Sequence, residues 1–375
     1  MAVEGKSIWA GVLAVGAGLF LAVSPVLAQR IEVKVEDGVT VVRNPVAPAP
    51  KPGGPSKVIL TEDLVIGREA AMEGYLFAEL RSVGVDDEER IWTLDWEDIK
   101  VRIFDKKGKL LATFGKKGGG PEEIQNPTRM IVKPEGVAVI VDTNKLAFYA
   151  ANGRCLKELS TARARMFRLR IDSRGCIYGD SFDIGAAKYR LTIERYDPEL
   201  KPLGTAAAFE EPFQPGQMNA FTTLLLFHVT KSDHLAWAAT PRYEIGIVDA
   251  DGRLVRRILK DYKRLKVTDE VQKRILKERF GGRPPDIKNV FPDNFPPMDV
   301  FVGDDEGRFY VRTYETDERG ARWHDVFDAE GRCFARFTLP GDEMAFIVKK
   351  NKLYSLVQED EEGRPLIKRY ALTWK

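Results

Sequence analysis

The chain has 375 residues, with 58 Lys plus Arg against 56 Asp plus Glu, and a net charge of +2 whose two signs are interleaved throughout. A protein that tracks a phosphate backbone would carry a basic excess or stripe, so nucleic acid is not an expected partner. The cysteines Cys155, Cys176 and Cys333 allow at most one disulfide, so stability must come from apolar burial and β ladders instead of a covalent framework.

In chain order, Lys6 precedes an uncharged run from Ile8 to Val23, and Pro25-Val26-Leu27-Ala28 ends it with small residues at the cleavage positions. This is the pattern of a secretory signal over residues 1–28. The apolar run is shorter than the roughly 20 residues of a spanning helix, so cleavage after Ala28 is expected over retention as an anchor. The expectation is an exported bacterial protein, periplasmic or extracellular, monomeric and with no membrane span after signal removal.

Residues 29–56 read as an extension. "IEVKVEDGVTVV" alternates apolar and polar residues around Asp37-Gly38, a hairpin signal, and "NPVAPAPKPGGPSK" reads as an extended linker. The folded domain is expected to begin near Val58, giving one domain over 57–375.

From there a pattern of short strands returns at roughly the 40–45-residue period of propeller blades. Its central turns align as "FDKKGKLL", "YAANGRCL", "YDPELKPL", "VDADGRLV" and "FDAEGRCF". Each places Gly, Asn or Asp where a tight hairpin needs an unusual backbone conformation. Four strands per unit predict an all-β fold, a six-bladed β-propeller of four-stranded antiparallel blades, with units starting near Leu80, Arg129, Phe167, Leu225, Val300 and Ala345. The last unit ends after three strands, at "LIKRYALTWK". The N-terminal "KVILTEDLVI" (57–66) is expected to supply the fourth strand and so close the ring.

The stretch "FGKKGGGPEEIQNP" (114–127) raises the question of a phosphate loop. No β–α unit surrounds it and no "GK[ST]" completes it, so its glycines read as turns between blades one and two, stiffened by Pro121 and Pro127.

The longer segment "DIKVRIFDKKGKLLATFGKKGGGPEEIQNPTRMIV" resembles the repeat of NHL-type six-bladed propellers, in which "FDxxGK" leads to "FGxxGxGPGEFxxP". The departure is Glu122-Glu123-Ile124, where that repeat has Gly-Glu-Phe. The resemblance covers the first two blades well and the others by turn pattern, and it implies fold, not activity. Exported bacterial propellers of this group include scaffolds and a few enzymes.

Asp95, Asp142 and Asp180 fall at the same aligned position, the end of the second strand in three adjacent units, with Asn144 close by. Ala239, Thr313 and Val357 stand there in the others. Two readings are open. Each Asp caps its own loop by accepting backbone N–H groups, or the set holds Ca²⁺ at the channel mouth, since oxygen ligands suit that ion. Resemblance to six-bladed lactonases adds the alternative of a Ca²⁺-dependent hydrolase. The zinc site of amidating lyases has no counterpart, because His228, His234 and His324 fall in a first strand, a turn and a third strand.

The segment 260–297 is the longest crossing. Thr268 caps a predicted helix, Asp269 and Glu270 favour its start, Lys277 and Arg279 its end, and Gly281-Gly282 stops it. Phe291 and Phe295 follow among prolines and read as exposed anchors for a partner, the alternative being that the segment covers blade four and the two rings fill the groove between blades four and five. The functional expectation is a binding module, with no catalysis assigned and no required cofactor, that takes a protein or small ligand on the loop face around the channel.

Overall fold

The computed structural model describes residues 30–68, 74–162, 164, 166–185, 188–213, 215–281, 288–341 and 343–375. The expected signal peptide and Gly282 lie outside these.

The protein is a six-bladed β-propeller. Blade one comprises Leu80–Val85, Ile91–Asp95, Lys100–Phe104 and Leu110–Phe114. Blade two comprises Arg129–Lys133, Val137–Val141, Lys145–Ala150 and Cys155–Ser160. Blade three runs Leu169–Ile171, Ile177–Ile184, Lys188–Tyr196 and Pro202–Pro212, and blade four Leu225–Val229, Leu235–Ala239, Glu244–Val248 and Leu254–Lys260. Blade five runs Val300–Gly303, Phe309–Thr316, Arg322–Phe327 and Cys333–Leu339. Blade six is Glu343–Lys349, Lys352–Val357 and Leu366–Trp374, completed by Val58–Ile66. That last pairing is antiparallel, with Trp374 opposite Val58 and Ile367 opposite Ile66. The first strand of each blade touches the first strands of both neighbours, so these strands ring the central axis.

No single core holds the ring. Six apolar clusters each fill the gap between two neighbouring blades. Each blade is therefore covered on both faces, which is why strands such as "IWTLD" and "VAVIV" read as continuous apolar runs. Along the innermost strand of blade four, Leu225 and Phe227 fill the gap toward blade three while Leu226 fills the gap toward blade five, following the two-residue period of a strand.

One turn chemistry recurs around the ring. The Asp105 Oδ1 accepts from the backbone N–H groups of Lys107 (2.8 Å) and Lys109 (2.9 Å), while the Gly108 N–H returns to the Asp105 carbonyl. The same pair of side-chain bonds, to the second and fourth residues on, is made by Asp86, Asp172, Asp197, Asp249, Asp304, Asp317, Asp328 and Asp360. The fourth position of the turn is left-handed, with φ of 84° at Gly108. Glu89 and Leu200 hold that conformation without glycine, at φ of 61° and 63°, a strain of about 1–2 kcal/mol for an L-residue. In blades one and five the second carboxylate oxygen reaches further. Asp86 Oδ2 accepts from Arg90 Nε (2.7 Å) and Trp92 Nε1 (2.8 Å), and Asp304 Oδ2 from Arg308 Nε (2.6 Å) and the Tyr310 hydroxyl (3.0 Å).

Ordered structure begins well before Val58. The expected hairpin forms, Glu32–Glu36 against Val39–Asn44, but it does not stand apart. Its second strand pairs in parallel with Leu254–Lys260, making blade four six-stranded. Val41 and Val42 are buried, and Asn44 joins two blades: its Nδ2 donates to the carbonyls of Leu259 (3.1 Å) and Gly331 (2.9 Å), and its Oδ1 accepts from Cys333 N (2.7 Å). The Pro-rich linker is tied to blade five through Ala49 N–H to the Cys333 carbonyl and through Lys51 to Asp328 and Glu330.

The helix forms over Asp269–Phe280, with Thr268 Oγ1 accepting from Val271 N and Gly281 closing it in the left-handed conformation. Among its described side chains Val271, Gln272, Ile275 and Leu276 are half-buried and none is fully buried, so it lies on the surface.

The turn aspartates set an acid limit. Bonds from backbone N–H groups, chiefly those of Lys109, Lys201, Arg253 and Arg364, hold Asp105, Asp197, Asp249 and Asp360 below the ordinary value of 3.8. A lowered folded-state pKa gives stability that is present above the unfolded value and lost as pH falls through the folded one. Stability measured by urea unfolding should therefore decline from about pH 4 downward. The combined D105N/D197N/D249N variant, which keeps an acceptor but cannot titrate, should show a shallower decline; equal slopes would contradict this assignment.

Candidate functional site

The three aligned acids are brought to equivalent places on the loop face, and each is engaged by the segment that enters its own blade. Asp95, fully buried, accepts from Ala78 N (2.8 Å) and Glu79 N (3.2 Å) and pairs with Arg102 (3.3 Å). Asp142 accepts from Gln125 N (2.9 Å), Asn126 N (2.7 Å) and Thr143 N (2.9 Å). Asp180 accepts from Arg168 N (2.6 Å) and from the Arg168 guanidinium at 2.5 Å and 2.9 Å. Asn144 is exposed and only its carbonyl is engaged, by Thr161 N. Among the described residues no three His, Cys, Asp or Glu side chains gather to hold a metal ion. The structure thus shows the loop-capping bonds for Asp95, Asp142 and Asp180, while a Ca²⁺ role for these three with Asn144 is left to the titration below. Asp180 differs in that its strand does not end there but runs on to Ile184 in a hairpin longer than those of the other two blades.

The glycine-rich loop holds an anion of its own. Glu123 Oε2 accepts from Gly120 N (3.0 Å) and pairs with Lys116, while Ile124 is buried in the gap between blades one and two. A Cβ on Gly118 would lie 2.0 Å from the Glu123 carboxylate, so glycine there is what admits it.

Phe291 and Phe295 are half-buried, not exposed. Phe295 stacks on Tyr314 of blade five at 4.9 Å, and Phe221, from the crossing between blades three and four, meets Phe295 at 5.1 Å and Phe291 at 6.3 Å. The insertion folds back because Lys288–Val290 pairs in parallel with Gln217–Asn219. The two rings thus fasten one crossing to another, the packed arrangement of the alternative reading, and are only partly exposed. Phe167 and Phe182, not singled out in the sequence, are the exposed pair, 56% and 46% accessible and stacked at 5.1 Å.

The histidines do not converge. His324 is buried between strands, stacked on Phe337 at 4.9 Å, and burial pushes its pKa down to about 3. His234 sits in a turn, its backbone N–H bonded to Thr230 Oγ1. His228, on the innermost strand of blade four, is pushed down to about 3 by burial and by Arg170 beside it. Gly303 makes room for it, since a Cβ there would lie 2.4 Å from the ring. The three cysteines are free thiols.

Two charges without ion-pair partners stand at the axis. Arg129 and Arg170 lie on the innermost strands of blades two and three, and among the described residues neither makes an ion pair. Arg170 donates only to its neighbour's carbonyl, at Leu169 (2.9 Å), and lies over the Phe227 ring. Burial lowers both guanidinium pKa values, helped by Arg168 at Arg129 and by Arg129 and Arg168 at Arg170, which falls to about 10; Asp180 opposes the shift in both. Asp180 itself is taken up by Arg168. Each of the two arginines is surrounded by protein yet keeps part of its surface accessible, as expected of groups that line an internal channel. Burying cations without counter-ions is costly, and none of this is visible in the sequence.

A family model, DUF5128, described as a 6-bladed beta-propeller, matches residues 72–189, covering blades one and two and part of blade three. No curated protein matches the chain. Among solved structures it is similar to a member of the duf4221 family from Bacteroides vulgatus, with TM-score 0.53 and 12% identity over 85% of this chain and 99% of that one. It is also similar to a Bacteroides fragilis protein with a provisional description as exported, with TM-score 0.55 and 10% identity over 89% and 99%. A gluconolactonase of Xanthomonas campestris matches over 84% and 98% at 14% identity, but its TM-score of 0.46 carries no argument. At these identities the likeness shows the fold alone.

If Asp142 is a loop cap, Asp142→Ala strands three backbone donors and should cost about 1–3 kcal/mol in urea unfolding. The loss should be the same in millimolar Ca²⁺ as in chelator. A melting temperature raised by Ca²⁺ in the wild type and not in Asp142→Asn would establish a cation site instead.

Proposed function

We propose that the protein is an exported NHL-like β-propeller that acts by binding, taking an anionic small ligand or the acidic group of a partner on its loop face at the central channel. The observation that carries this is the pair Arg129 and Arg170, two recessed guanidiniums on adjacent blades with no ion-pair partner. A buried cation without a counter-ion is a liability in the free protein and an asset once an anion arrives, because the charge-assisted bonds then form in a medium that screens them weakly. His228, held neutral beside Arg170, adds a polar ring to the same wall without adding charge. The loop-face carboxylates support binding over hydrolysis, since Asp95, Asp142 and Asp180 are occupied by backbone and arginine donors. Among the described residues no helix is long and apolar enough to cross a membrane, and the N-terminal apolar run with its small-residue cleavage pattern supports export.

Arg129→Met and Arg170→Met keep most of the side-chain volume and remove the charge. Each should leave the melting temperature unchanged or raise it, since the replaced charge was desolvated and unpaired. Wild-type protein titrated with citrate should show a saturable rise in melting temperature that the double variant lacks. An identical citrate response in both proteins would defeat the reading.

A further inference from the structure

A cavity lies away from the axis, at the outer rim of the loop face where the N-terminal hairpin meets blade four. It encloses about 590 Å³, within the range of small-molecule sites. Its walls come from both partners of the seam: Arg30, Glu32 and Arg43 from the hairpin, and Arg242, Glu244 and Lys260 to Tyr262 from blade four.

The floor is tied together from within. Lys260 is buried, donates to the carbonyls of Val46 (2.7 Å) and Asp261 (3.2 Å), and lies 3.5 Å from Asp325. The Tyr243 hydroxyl donates to the same Asp325 oxygen at 2.6 Å. These bonds fix the walls.

The rim is different. Arg30, Arg43 and Arg242 are exposed and among the described residues form no ion pair, Arg242 lying over the Phe209 ring at 5.2 Å. Two of the three lining carboxylates are already neutralised, Glu32 by Lys34 (3.2 Å) and Glu244 by Arg257 (2.6 Å). Lys260 is balanced by Asp325, which leaves three guanidiniums facing Asp261 alone. Tyr262 stands half-buried in the wall, its ring 6.0 Å from that of Tyr243, and Pro45 and Pro241 add flat apolar surface. Guanidinium forks recognise carboxylates in two-point geometry, and the tyrosine and proline faces suit a rigid ring.

From this cavity we infer a second ligand site that takes a multiply charged carboxylate on a rigid, ring-containing scaffold. The site exists only while the hairpin is docked, so occupancy couples to the parallel pairing of Val39–Asn44 with blade four. This inference stands apart from the channel reading and shares no residue with it.

The test uses calorimetry with two probes, trigalacturonate for a saccharide scaffold and benzene-1,3,5-tricarboxylate for an aromatic one, with uncharged maltotriose as control. At least one acidic probe should bind, with affinity falling as salt rises, and should slow hydrogen exchange across residues 39–44; maltotriose should do neither. R43A/R242A should lose at least tenfold in affinity, while Arg170→Met, at the axis, should bind as wild type. These rim substitutions remove exposed side chains and should leave the melting temperature in place. The inference is overturned if neither acidic probe binds, or if R43A/R242A binds as well as wild type. It is also overturned if the binding is lost in Arg170→Met instead, which would assign the probe to the channel.

Discussion

The antiparallel pairing of Val58–Ile66 with Leu366–Trp374 is the constraint on which the rest depends. A propeller has no central core; its apolar clusters lie in the gaps between blades, and the ring is complete only if the last gap is filled from both sides. The cluster between blades six and one contains Ile66 from the N-terminal strand, Ile367 and Tyr354 from the C-terminal part, and Leu80 and Phe104 from blade one. Without the closing strand that gap would lose one wall and the sheet would keep an open edge, which invites intermolecular pairing. Contacts nearly a whole chain length apart must form to close it, and such contacts are entropically late.

Much of this was legible because it is locally encoded. The Asp-x-x-Gly turns announce themselves in five residues, since one carboxylate oxygen satisfies two backbone donors and glycine supplies the left-handed residue. Blade count and the missing fourth strand followed from their spacing. The helix at Asp269–Phe280 was readable for the same reason, from Thr268 at its start and Gly281 at its end. What failed to read was long-range. The hairpin at 32–44 was visible as a hairpin, but its parallel docking on blade four joins residues more than 200 apart, and nothing local marks Asn44 as the bridge to blade five.

The site residues divide along the same line. Aspartates at equivalent strand ends suggested either caps or ligands, and pattern alone could not choose; distances of 2.6–3.2 Å from Asp95, Asp142 and Asp180 to backbone N–H groups show the capping bonds. Phe291 and Phe295 beside prolines looked exposed because their partners, Phe221 and Tyr314, come from other crossings. The unpaired arginines were the least legible feature, since arginine is common in this chain and its lack of a counter-ion is a property of three dimensions. The two groups of unpaired arginines differ in their framing: Arg129 and Arg170 stand on innermost strands of the closed ring, whereas the rim cavity lies between blade four and the hairpin docked on it.

Hydrogen exchange along the closing strand tests the central claim most directly. If closure is what makes the ring one cooperative unit, the paired amides of Val58–Ile66 should open only with global unfolding. They should then exchange at the same free energy as the second strands of blades one and five. Exchange of Val58–Ile66 that is orders of magnitude faster, with blades one to five still protected, would contradict it and show that the ring stands without its seam.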